Sequence, residues 1–202
     1  MKADPTTTQP ARPPLGLRAI LPMFVVMTAA AFMITMLFGP KPLLAVIAAG
    51  DGAARQCGWG IGIGLAVAVP AWVAILNVRA LAPWRDQMLA LATRIVLSGF
   101  NPLWIGLFAG LGEEALFRGA LQPLLGIWGT SLLFTLAHYR TGSFRSMTPT
   151  KWGYAALVFL ASALLGYVFL ARGLIAAAIT HSTIDVVGIL MLRNQACRRQ
   201  SS

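Results

Sequence analysis

Glu113 and Glu114 stand side by side, with Arg118 one helical turn further on, in a stretch that is otherwise hydrocarbon. From Ile95 to Gly112 there is no charged side chain, and from Gly119 to Tyr139 the ionisable groups are His138 and Tyr139. A second polar pair, His181 and Asp185, sits in the last apolar segment. The chain has only two Glu and two His, and all four lie at these places. A charge at bilayer depth costs at least ~2.5–3.5 kcal/mol on insertion scales, so such residues mark function. Spacing gives each a task. Glu114 and Arg118 are i,i+4 on one helix face and can pair. Glu113 points ~100° away from Glu114, which leaves the two carboxylates free for separate work. His181 and Asp185 are also i,i+4 and can face one cavity, and Phe134 lies one turn before His138 and can pack beneath the site. A carboxylate near an imidazole can take a proton from water and make a nucleophile. A second imidazole with a hydrogen-bonding neighbour can stabilise the oxyanion of a tetrahedral intermediate. These parts suit hydrolysis of an amide. His and Glu are also zinc ligands, so zinc stays open although no cofactor is favoured; the H-E-x-x-H pattern of zinc proteases is absent.

The elements that must position these groups are membrane spans. The 202 residues are 57% hydrophobic and 11% charged, with a mean hydropathy of +0.73, where a soluble domain carries about a quarter charged residues. The fold class is therefore all-α, a polytopic membrane helical bundle of about six transmembrane helices plus a short interfacial or re-entrant segment. The formal net charge of +10 does not point to nucleic acid, because the Lys and Arg residues lie between apolar runs, as in loops held against anionic headgroups. Cys57 and Cys197 have no metal-ligand spacing.

In chain order, residues 1–17 form a disordered Pro- and Thr-rich tail, and 18–94 carry the N-terminal transmembrane helices. Spans are expected over Ala19–Gly39 and Cys57–Val78, the first of them uncleaved, with Leu43–Gly50 too short to cross. Close helix packing accounts for Gly60 and Gly64, and Pro70 kinks the second span. Arg79–Arg94 reads as a connection with an amphipathic helix. Residues 95–193 form the catalytic core. Its third span, from Ile95 or Pro102 to Leu121, turns through Pro123–Gly129 into a fourth ending at His138 and Tyr139. A polar loop over Arg140–Lys151 follows, then spans at Trp152–Ala171 and Gly173–Leu192, and 194–202 is a basic tail. With the N-terminus inside, the inner segments hold twelve of the sixteen Lys and Arg; the other four are Lys41, Arg55, Arg118 and Arg172. That asymmetry places both termini in the cytoplasm. Glu113 lies 13 residues before Gly126 and His138 lies 12 after it, so each stands ~18–20 Å from the turn at 1.5 Å per residue. His181 and Asp185 lie ~12–18 Å from the same side, counted from Gly173. Three segments thus bring their polar groups to a similar depth.

E-E-A-L-F-R-G at 113–119, F-T-L-A-H at 134–138 and H-S-T-I-D at 181–185 resemble, in order, the three motifs of the CPBP family, which comprises the CAAX prenyl protease type II and Abi intramembrane proteases. The family pattern is E-E-x-x-x-R, F-x-x-x-H and H-x-x-x-N or D, and the resemblance covers roughly Pro102 to Leu192. It implies that Glu113 is the general base, sharing the attacking water with His138, and that His181 and Asp185 form the oxyanion site. It also implies that Glu114 and Arg118 are a supporting ion pair, and it favours a metal-free glutamate mechanism. Prenyl-processing members commonly have Asn where this chain has Asp185.

The expected function is an intramembrane endopeptidase acting on a membrane-anchored protein or peptide within the lipid bilayer. The alternative is a non-catalytic bacteriocin-immunity or scaffold protein of the same fold. A proton-coupled transporter would show an inverted repeat, and none is apparent. No soluble recognition domain is expected, so selection would occur in the membrane cavity or through a partner. The small, basic design points to a bacterial inner (cell) membrane and away from prenylated substrates. Nothing in the sequence sets an oligomeric state.

Overall fold

The computed structural model describes residues 16–92, 95–140 and 149–200. Most of the expected N-terminal tail and of the polar loop before Lys151 lies outside the described residues. The fold is all-α: α1 (Leu17–Leu37), α2 (Leu43–Ala48), α3 (Ala53–Asn77), α4 (Ala82–Ala92), α5 (Asn101–Glu114), a π-helical segment (Ala115–Leu121), α6 (Gln122–Arg140), α7 (Pro149–Arg172) and α8 (Leu174–Gln200). In lipid a backbone must satisfy its own hydrogen bonds, and uncharged runs of this length do so as helices. The 21 residues of α1 reach about 31 Å, one hydrocarbon thickness.

Five helical stretches among the described residues are long and apolar enough to cross a membrane, and one of them, Asn101–His138, is 38 residues long. It is not one rod. Gly126 has φ 68° and ψ 177°, a conformation that is essentially open only to glycine. Side chains on either side of it meet: Glu113 reaches His138 at 3.6 Å, and the Phe117 and Phe134 rings lie 4.9 Å apart. Both pairs straddle the same midpoint between Leu125 and Gly126, so the stretch folds into a hairpin there. This accounts for the six expected spans against five by length alone.

Helix α8 is the axis of the bundle. A Cβ on Gly60 or Gly64 of α3 would stand 2.6 Å from Ile179 Cβ or 2.5 Å from Thr183 Cβ, and one on Gly106 of α5 would stand 2.7 Å from Val186 Cγ2. Gly110 is pressed equally close against Ser182. Two glycine pairs at i,i+4 therefore clasp α8 from two sides, as small residues do where membrane helices approach closely. The alternate glycines of the same run, Gly58 and Gly62, meet nothing within 4 Å. The short helix α2 buries Leu43 and Val46 against Ala115, Ala120 and Leu174 instead of crossing. Gln56, 1% exposed, ties this region together. Its Nε2 donates to the carbonyls of Ala49 and Asp51, and its Oε1 accepts from the Ala176 N–H at 3.3 Å. The start of α8 is thereby fixed to the α2–α3 connection. Helix α8 continues to Gln200, so the expected basic tail is helical over most of its length.

Candidate active site

Four structural elements deliver the polar groups. The last turn of α5 carries Glu113 and Glu114, and the π-helical segment carries Arg118. Phe134 and His138 come from α6, and His181 and Asp185 from α8. The hairpin at Gly126 brings the first two sets together, and the glycine contacts of α5 bring α8 against them. All seven residues singled out in the sequence meet in one cluster.

Glu114 and Arg118 are both fully buried and pair at 3.0 Å from Oε2 to Nε. The second carboxylate oxygen of Glu114 accepts a hydrogen bond from His181 Nδ1 at 2.8 Å. Since a carboxylate ion-paired with arginine can only accept, Nδ1 carries the proton and Nε2 is left facing the cavity. His138 is held in the same sense: its Nδ1 donates to the Phe134 carbonyl at 3.0 Å, and its ring stacks on Phe134 at 4.2 Å between centroids. Phe134 also meets His181 edge-on at 5.9 Å, and the Arg118 guanidinium lies 4.9 Å from its ring centroid. That aromatic ring is the floor on which both imidazoles and the cation rest.

Glu113 differs from its neighbour. Where Glu114 has a guanidinium at 3.0 Å and a hydrogen-bonded imidazole at 2.8 Å, Glu113 Oε2 makes no hydrogen bond among the described residues and stands 3.6 Å from His138 Nε2 and 3.9 Å from His181 Nε2. Asp185 Oδ2 lies 3.6 Å from the same His181 nitrogen. The side chains of His138 and Asp185 are 34% and 36% exposed, while those of Glu113 and His181 are at most 10% exposed. The cluster is therefore sealed at Glu114 and Arg118 and opens past His138 and Asp185. Among the described residues, no group of three or more His, Cys, Asp and Glu side chains is gathered to hold a metal ion.

Sequence reasoning missed two features. The i,i+4 spacing pairs Glu114 with Arg118 and gives no sign that Glu114 also orients His181. Ser162 of α7, fully buried, accepts from Arg118 Nη2 through both its carbonyl (2.8 Å) and its hydroxyl (2.9 Å). One turn further on, the Gln122 amide donates to the Gly166 carbonyl at 3.1 Å. A serine in an apolar span carries no sequence signal for such a role.

Residues 95–187 match the model of a family described as type II CAAX prenyl endopeptidase Rce1-like. Uncharacterized protein YpbD of Bacillus subtilis (strain 168) is 34% identical over 98 residues, 48% of this chain and 48% of that protein. The chain thus matches about half the length of this curated relative. No solved structure matches. Every motif residue of the cluster lies inside the matched segment, and the five apolar helices make the chain an integral membrane protein. Over residues 95–187 the chain is similar to the Rce1-like, type II CAAX prenyl endopeptidase domain of the CPBP family.

Proposed function

We propose that this protein is an intramembrane endopeptidase that hydrolyses a peptide bond of a membrane-anchored protein or peptide. The observation that carries the reading is the position of Glu113 Oε2, without a hydrogen bond of its own and 3.6 Å and 3.9 Å from two imidazole Nε2 atoms. Polar groups more than about 3.5 Å apart are ones a water can bridge, here with bent hydrogen bonds. Because His138 donates through Nδ1, its neutral Nε2 accepts, so one water can give one O–H to Glu113 and the other to His138. Its lone pair is then directed at the substrate carbonyl. As the oxygen–carbon bond forms, Glu113 takes the proton; as the carbon–nitrogen bond breaks, the proton passes to the departing amine. The oxyanion falls to His181 Nε2 and Asp185. With His181 Nδ1 already donating to Glu114, that role requires the imidazolium, and Asp185 serves only as a protonated donor.

The mechanism we propose uses no metal. We also propose a bacterial inner membrane location with both termini in the cytoplasm, which the asymmetry of Lys and Arg between the loops supports.

The test is cleavage of membrane-anchored peptides in proteoliposomes by wild type, Glu113→Ala and His138→Ala, with and without a chelator. Activity lost in both variants and kept with chelator supports the reading. Activity lost with chelator and restored by zinc overturns the metal-free mechanism. Cleavage indifferent to both substitutions overturns the site, and cleavage by no form favours a non-catalytic scaffold.

A further inference from the structure

We infer that Ser162, on a helix that carries none of the three motifs, is a positioning residue for His181, acting through Arg118 and Glu114. The inference deepens the proposed endopeptidase site and rests on that reading for its kinetic consequence.

The path is continuous and short. The Ser162 hydroxyl accepts from Arg118 Nη2 at 2.9 Å; Arg118 Nε meets Glu114 Oε2 at 3.0 Å; Glu114 Oε1 takes the His181 Nδ1 proton at 2.8 Å. Ser162, Arg118 and Glu114 are each 0% exposed, so no water competes for the intermediate groups. A guanidinium is planar, and two fixed contacts on its Nη2 set its orientation about the long side-chain axis. Ser162 supplies both, from its carbonyl and its hydroxyl. Its Nε then holds the Glu114 carboxylate by charge as an ion pair at 3.0 Å, and the other carboxylate oxygen, through its hydrogen bond, fixes the plane and tautomer of His181. The contacts that Arg118 makes elsewhere do not replace this. The Phe134 ring holds the cation by its face, which leaves rotation in the plane free. The π-helical backbone under Arg118 makes an outside anchor more necessary, because its hydrogen-bond register is displaced from that of the α-helices on either side. Gln122 supplies the comparison. It also bonds α7, at Gly166, and so clamps the same helix without touching Arg118.

The chain has only two histidines, so selective 15N-histidine labelling gives two imidazole spin systems, assigned with the His138→Ala variant. In Ser162→Ala, the His181 nitrogen signals should move toward those of a more weakly bonded Nδ1 while those of His138 stay in place. Ser162→Cys, similar in size and a poorer acceptor, should shift His181 part of the way. Gln122→Met should leave His181 within the line width. In cleavage assays, Ser162→Ala should lower kcat about tenfold with KM unchanged, the low end of the range seen when partners that orient metal-bound imidazoles are removed. His181 signals unchanged in both Ser162 variants overturn the inference, as do equal shifts in Gln122→Met, which would trace the effect to looser packing of α7. The spectroscopic arm needs no turnover. A shifted His181 without cleavage by wild type therefore counts against the protease reading and leaves the positioning intact.

Discussion

The two adjacent glutamates should separate into one residue that supports catalysis at no structural gain and one that holds the bundle together. Glu114→Gln removes the negative half of a pair in which both partners are 0% exposed. Arg118 then keeps a serine, a carbonyl and an aromatic face as partners, all neutral. Removing one partner of a buried pair costs about 3–5 kcal/mol. The figure should fall at about 3 kcal/mol here, because a chain unfolded in a micelle also finds partners for its polar groups. Glu113→Gln removes a carboxylate whose Oε2 makes no hydrogen bond among the described residues and which lies in a cluster with two other carboxylates. Its unfolding free energy should stay within ~0.5 kcal/mol of wild type or rise, since a charge held out of water without a hydrogen bond on that oxygen is removed. Its cleavage rate should fall ~10²–10⁴-fold, the range for loss of a positioned general base. The assay is titration of purified protein from mild detergent into SDS, followed by tryptophan fluorescence, beside turnover of a membrane-anchored peptide. If Glu113→Gln loses as much stability as Glu114→Gln, or cleaves at the wild-type rate, the division of labour between the two carboxylates is wrong.

Asp185→Asn should match or exceed wild-type cleavage, since an amide donates to the oxyanion without needing a proton, whereas Asp185→Leu should lose ~10²-fold for want of a donor; kcat for the two variants decides it. Gly64→Ala should cost about 1–3 kcal/mol and lower activity, because its Cβ would stand 2.5 Å from Thr183 Cβ on the helix that carries His181. Gly62→Ala, with nothing within 4 Å, should gain roughly 0.5–1 kcal/mol; SDS unfolding of the pair measures both. Gly126→Ala should cost about 1–3 kcal/mol through its φ of 68°, and a cysteine cross-link between the two arms of the hairpin should form more slowly in that variant.

What was legible in the sequence is what a helix makes countable. Charges in a long apolar run are rare enough to be conspicuous, and a helix converts residue number into depth, so Glu113 and His138, nearly equidistant from Gly126, could be placed at one level before any coordinates. The contact between them at 3.6 Å is that count realised. Azimuth around the bundle was not countable. It depends on how α5 and α8 rotate when their close-packed glycines meet, and that rotation turns Glu114 toward His181 as well as Arg118. The role of Ser162 was hidden for a different reason. A serine or threonine in a membrane helix can satisfy itself on a carbonyl one turn back, as Thr135, Thr180 and Thr183 do at 2.7–2.8 Å. Hydroxyls that reach across to another helix are written identically. The one that matters is identified by a buried cation with more donors than its own helix has acceptors for, and Arg118, which spends one nitrogen on Glu114 and another on Ser162, is that cation. A buried arginine in an apolar span therefore implies a second helix bearing acceptors. Here that helix is α7, which by its sequence alone looks like lipid-facing filler.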